Sequence, residues 1–447
     1  MLIVHTEPQA ATRQPHAITA HDRLDRAEQA IASHHDSGIV IASTVPRARE
    51  QGEPDPALPL AGMTLVVKDN IDLAGTVTSH GAKLAGALPA LRSAPVVAAL
   101  EAAGARVVAK VNLHQFAYGA SSENPAWGDV TNPRHPGYTP GGSSGGTAAA
   151  LAARIADIGL GTDTSGSVRM PAACCGVVGL RPRNGVLSLA GVGTLCPSFD
   201  TVGPMARTVA DTALVWETLL TGAGISAHPG AQIPCGTHCG PSEPTPTELR
   251  PSLARSADPE PAALPLSGVV LGALDHTDPL TFRALGAEVR PFRLDFDAVE
   301  AQLWPAFRAE AGRSLDWVFP GRADEVDPNV RAKLGRAQQE SRAAWSAGLA
   351  GLAQQRGELL ARMDAEGIDV LVSRTLGEGL PLAATGEASF RDGLGATVAA
   401  FSGLNLPALA IGDLQIVGRT EADVLAVGLA VERSGVPLSE PPLQFEG

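Results

Sequence analysis

The chain has 447 residues, 44% hydrophobic and 18% charged, which is enough to bury a large α/β core in one domain or two. A net charge of -13 argues against bulk attraction to nucleic acid or to an anionic membrane and favours a small neutral substrate.

The first thirty residues lack a basic start followed by an apolar run, so no secretory signal is expected. Five cysteines is a low, odd count that suits a reducing, cytoplasmic setting. Residues 20–35 have the period of an amphipathic helix, and "MTLVVKD" at 63–69 reads as a short buried strand. "SAPVVAALEAAGA" predicts a helix ending at Gly104, and the strand "RVVAKV" follows. After the glycine loop "TPGGSSGGT" come a helix over 147–157 and the strand "IGLGTD" at 158–163. Strands separated by helices of about ten residues predict a mostly parallel or mixed sheet covered on both faces.

Residues 221–266 are rich in Pro, Ser and Gly and read as a long loop or linker. Within them "CGTHC", Cys235 to Cys239, has half the spacing of a zinc site, but no second ligand pair follows. Beyond lie a strand at "VVLGALDH", one or two long helices over 327–367, and a strand at "IDVLVSRT". The apolar stretch 396–412 is too short, and too interrupted by Gly, Asn and Pro, for a membrane span. Nothing requires the second half to be a separate domain.

The glycine loop invites two readings that its neighbours refuse. A phosphate-binding loop needs a lysine after its last glycine, and Gly146 is followed by Thr147. A Gly-x-Ser-x-Gly nucleophile elbow needs a strand leading into it and a histidine late in the chain; "VTNPRHPGYTP" is no strand, and the last histidine is His276. A serine nucleophile still needs a base. Of 34 basic residues only Lys68, Lys83, Lys110 and Lys333 are lysines. Lys68 and Lys110 both close apolar strands, and a lysine can be neutralised where an arginine cannot.

Residues 140–182, "PGGSSGGTAAALAARIADIGLGTDTSGSVRMPAACCGVVGLRP", resemble the signature region of the amidase signature family of serine hydrolases. The resemblance extends over "LAGMTLVVKDNID", "VVAKVNLHQFAYGASSENPAWGDVTNP" and "SFDTVGPMARTVADTALV", roughly residues 60–220. It implies an α/β amidase signature fold with a large mixed sheet, covering the chain as one domain whose second half shapes the substrate pocket. It also implies a triad of Lys68 as base, Ser143 as bridging serine after a cis peptide bond, and Ser167 as nucleophile. Thr164, Ser165, Gly166 and Ser167 would offer backbone N–H groups to the oxyanion, while Ser144 and Lys110 fall on supporting positions. The family usually has glycine where Ser165 stands, so the turn keeps its donor there only if φ is negative. No metal and no cofactor are expected.

Two departures bear on substrate. The segment after "VVLGALDHTDP" lacks much of an expected helix, and "LPALAIGDLQIVGR" is abbreviated between its two strands. Within the family the chain resembles indoleacetamide and mandelamide hydrolases, carboxybiuret-type hydrolases and the glutaminase component of tRNA-dependent amidotransferases. The leading expectation is a cytoplasmic amidase for a small carboxamide, with no nucleic acid or membrane partner and with homodimerisation left open. The alternatives are the glutaminase component of an amidotransferase complex and a family member that only binds.

Overall fold

The structure, a computed structural model, describes residues 19–84, 86–222, 265–274, 280–318, 323–377, 379–385, 396–436 and 441–443. The Cys235–Cys239 pair, His276 and most of the Pro-rich segment lie outside the described residues.

The strands are β1 (Val40–Ser43), β2 (Thr64–Lys68), β3 (Arg106–Val111), β4 (Ile158–Asp163), β5 (Val178–Arg181), β6 (Thr201–Ala206), β7 (Val270–Ala273), β8 (Glu288–Pro291), β9 (Val370–Arg374), β10 (Ala408–Ile411) and β11 (Leu414–Val417). They form one sheet in the order β1-β3-β2-β4-β6-β5-β10-β11-β9-β7-β8. β2 runs parallel to β3 and β4, and β7 parallel to β8 and β9. The remaining pairs are antiparallel, so the sheet is mixed, as the sequence predicts.

The helices are α1 (Ala20–Ser33), α2 (Val45–Glu50), α3 (Pro95–Ala102), α4 (Gly145–Ala152), α5 (Arg169–Cys175), α6 (Val209–Thr221), α7 (Leu280–Ala284), α8 (Phe296–Ser314), α9 (Pro328–Ala337), α10 (Arg342–Ala365), α11 (Ala396–Gly403) and α12 (Glu421–Ser434). They cover both faces because successive strand residues point to opposite sides. In β2, Leu65 and Val67 pack in one core with Val97 of α3, Trp216 of α6 and Val427 of α12. Val66 between them packs in another, with Leu24 of α1, Ala148 of α4 and Ala172 of α5. All three β2 side chains are fully buried, each worth about 1.5 to 3 kcal/mol. A third core lies in the second half among α8, α9, α10 and α11.

One boundary differs from the sequence reading. The helix expected over 147–157 stops at Ala152, because Arg154 takes a left-handed φ of +58° and Ile155 N–H donates back to Ala150. The stretch 327–367, read as one or two helices, is two, α9 and α10, with Ser341 capping the second through Ala344 N–H. Between β7 and β8 the described helix is the five-residue α7, in keeping with the shortened segment expected there. Among the described residues no helix is long and apolar enough to cross a membrane.

Candidate active site

Topology brings the key residues together. β2 and β4 are parallel neighbours, with Val67 opposite Leu160, so their carboxyl ends lie side by side. Lys68 ends β2, and Thr162 and Asp163 end β4. The glycine loop enters α4 beside them, and the turn 164–167 leads from β4 into α5.

Lys68 is fully buried, with Nζ 2.7 Å from Ser143 Oγ, 2.8 Å from Thr162 Oγ1 and 3.4 Å from Thr162 O. All of these partners are neutral. Burial lowers the Lys68 amine to about 7, although the carboxylates of Asp163 and Asp200 oppose that shift from farther off. Lys110, equally buried, is engaged differently. Its Nζ pairs with Asp69 Oδ1 at 2.9 Å and donates to Ile71 O at 2.6 Å, so it braces the loop after β2.

The peptide bond between Gly142 and Ser143 is cis, as expected. Glycine is required at 142 because a Cβ there would stand 2.8 to 3.0 Å from the backbone of residues 120–122. Ser143 O accepts from His114 N–H at 3.2 Å. Ser144 is a fastener: its Oγ donates to Thr162 O at 3.1 Å, and its N–H donates to Ser167 O at 3.1 Å. That last bond sets the backbone of Ser167 against the loop carrying Ser143. The Ser167 hydroxyl itself makes no hydrogen bond among the described residues, so the structure joins Lys68 to Ser143 directly and Ser167 through the backbone.

The turn 164–167 departs from the expectation at one residue. Gly166 N–H is not available to an oxyanion, since it donates to Asp163 Oδ1 at 2.8 Å, and Val168 N–H donates to Asp163 Oδ2 at 3.1 Å. Gly166 has φ +126°, a conformation that glycine tolerates and other residues do not. Ser165 is not among the residues of positive φ, so its side chain fits the turn. The N–H groups of Thr164, Ser165 and Ser167 have no acceptor among the described residues.

Several residues of the site escaped the sequence reading. Asp163 lies between two fully buried arginines, with Arg169 Nε at 3.1 Å and Arg181 Nη1 at 3.0 Å. Burial alone would raise its carboxyl, but the two guanidiniums hold it well below the usual carboxylate range. Burial draws Arg181 down to about 10. Arg169 also reaches Gln415 Oε1 at 2.7 Å and Ser402 Oγ at 2.6 Å, tying the turn to β11 and α11. Asp200 is buried against Thr164, and burial pushes its carboxyl up to about 7. The available signal was charge placement: Asp163 and Arg169 flank the serine turn inside "GTDTSGSVR". No group of His, Cys, Asp and Glu side chains is placed to hold a metal among the described residues.

Comparison with known proteins agrees with this geometry. Residues 19–223 match the Amidase family model. The A component of the glutamyl-tRNA(Gln) amidotransferase of Thermus thermophilus is 40% identical over 252 residues, 56% of this chain and 50% of that protein. The chain thus spans about half the length of the curated relatives it matches. Among solved structures, an amidase superposes with TM-score 0.75 at 27% identity, covering 93% of this chain and 96% of its own. A peptide amidase, solved with the competitive inhibitor chymostatin, superposes with TM-score 0.72 at 26% identity, covering 93% and 94%. The signature residues and the fold thus agree with the match of residues 19–223 to the Amidase family model.

Proposed function

We propose that this chain hydrolyses an amide C–N bond through an acyl-enzyme on Ser167, with Ser143 and Lys68 as the proton relay. The observation that carries the reading is a buried lysine with neutral partners, 2.7 Å from the serine of a cis peptide. In the neutral form Lys68 accepts the Ser143 proton, and Ser143 takes the Ser167 proton as Ser167 Oγ attacks the amide carbon. The oxyanion then faces the N–H groups of Thr164, Ser165 and Ser167; one such donor is typically worth about 3 to 4 kcal/mol. Return of the proton to the leaving nitrogen expels ammonia or an amine, and water releases the acid by the same relay.

Two substrates fit this chemistry. A small carboxamide, hydrolysed in the cytoplasm without a partner, is supported by the amidase and peptide amidase folds. Glutamine, hydrolysed within an amidotransferase complex, is better supported, because the Thermus thermophilus protein and other relatives at 39 to 44% identity are the corresponding components of such enzymes. The purified chain, assayed alone for ammonia release from glutamine and from a panel of alkyl and aryl amides, separates the two. Turnover of a simple amide favours the stand-alone enzyme, and glutamine turnover that appears only with partner proteins favours the complex. Absence of turnover on every amide in both settings contradicts hydrolysis.

A further inference from the structure

The 164–167 turn is fastened at two ends by two different buried carboxylates. At its far end Asp163 accepts from Gly166 and Val168 N–H. At its near end the Thr164 hydroxyl donates to Asp200 Oδ1 at 2.6 Å. Asp200 is itself immobilised, since its Oδ2 accepts from Leu195 N–H at 2.8 Å and Cys196 N–H at 3.0 Å. The same connection is held from the second half of the chain. Glu310 of α8 accepts from Ser198 N–H at 2.9 Å and from Trp345 Nε1 of α10 at 2.7 Å. Asp200 and Thr164 also stand close to Asn70 and Thr162, the latter in contact with Lys68.

We infer that Asp200 is a positioning residue, holding the 164–167 turn through the Thr164 hydroxyl so that the turn's free N–H groups face the substrate carbonyl oxygen. This role rests on the amidase reading. Gly166 removes one N–H from service and gives the turn a flexible backbone, so the near end needs its own anchor, and Thr164 Oγ1 is the side-chain contact that supplies it. The anchor reaches back through the 195–200 connection to α8, which links the pocket half of the chain to the oxyanion donors. Asp200 also faces charge. Glu310 and Cys196 stand beside it, and its own carboxylate favours the charged forms of Lys68 and Arg181. Asp163, Arg169 and Arg181 complete the charged groups around the turn.

The test compares wild type, Thr164→Val, Thr164→Ser and Asp200→Asn by kcat, KM and pH profile on the best amide, with thermal unfolding to confirm the fold. Thr164→Val keeps the shape and removes the hydroxyl, so kcat should fall about 10- to 100-fold with KM within about twofold, as expected for a misplaced donor. Thr164→Ser should restore most of that loss. Thr164→Val should leave the acid limb of the pH profile in place. Asp200→Asn should move it to lower pH, because removal of that negative charge lets Lys68 lose its proton more easily. Should Asp200→Asn fail to fold, the two Thr164 variants decide. A wild type silent on every amide overturns the amidase reading and this inference with it. An active wild type equalled in kcat by Thr164→Val, or a loss confined to KM, overturns the inference alone.

Discussion

Lys68 is the last residue of β2 and Lys110 the last but one of the neighbouring β3, both in apolar contexts, yet their surroundings give them opposite chemistry. Lys110 holds a buried carboxylate, so its charge is matched by Asp69. Lys68 touches hydroxyls and a carbonyl, and burial brings it to about 7. Lys68→Arg keeps the charge and forbids neutralisation, so kcat/KM should fall by several orders of magnitude with circular dichroism unchanged. Lys110→Arg should cost far less, because arginine can replace the ion pair. The wild-type rate should decline as pH falls through about 7. A folded-state pKa near that value means Lys68 gains its proton there and can no longer accept one from Ser143. The observed pKa belongs to the coupled site, since Asp200 titrates in the same range.

At the scale of elements, the glycine loop and the serine turn owe their shape to what presses on them. A methyl at Gly142 would meet the backbone of Ala120, Ser121 and Ser122. Gly142→Ala should therefore lower kcat/KM at least about 100-fold while costing about 1 to 3 kcal/mol of stability, measured by urea unfolding. The turn depends as strongly on Asp163. Asp163→Leu leaves the buried Arg169 and Arg181 without their carboxylate and should destabilise the fold by about 3 to 5 kcal/mol on the same measurement. A loss below about 1 kcal/mol would show that the two arginines find other partners.

At the scale of the whole molecule, the sheet continues from the signature half into the second half where β5 pairs with β10. Periodicity made β2, β3, β4, β7 and β9 legible, since each is an apolar run between turn residues. It could not reveal β6, whose Gly203 and Pro204 are poor strand formers; β6 exists because β4 holds it along its full length. The edge strand β1 was missed for a related reason: it is four residues long and its burial follows no clear alternation. The residue resemblance singled out Lys68, Ser143 and Ser167, but three-dimensional pairing was needed to see that Asp163 consumes the Gly166 N–H. Asp200 was invisible for the same reason, standing 36 residues from the hydroxyl it accepts.

The central claim is that Ser167 is the activated nucleophile, and covalent labelling tests it most directly. The intact chain, treated with a fluorophosphonate and digested for peptide mapping by mass spectrometry, should carry a single adduct on Ser167, and the Lys68→Arg protein should label at least about 100-fold more slowly. An adduct on Ser143 or Ser144, or labelling of Ser167 at the same rate without the lysine, would contradict the account.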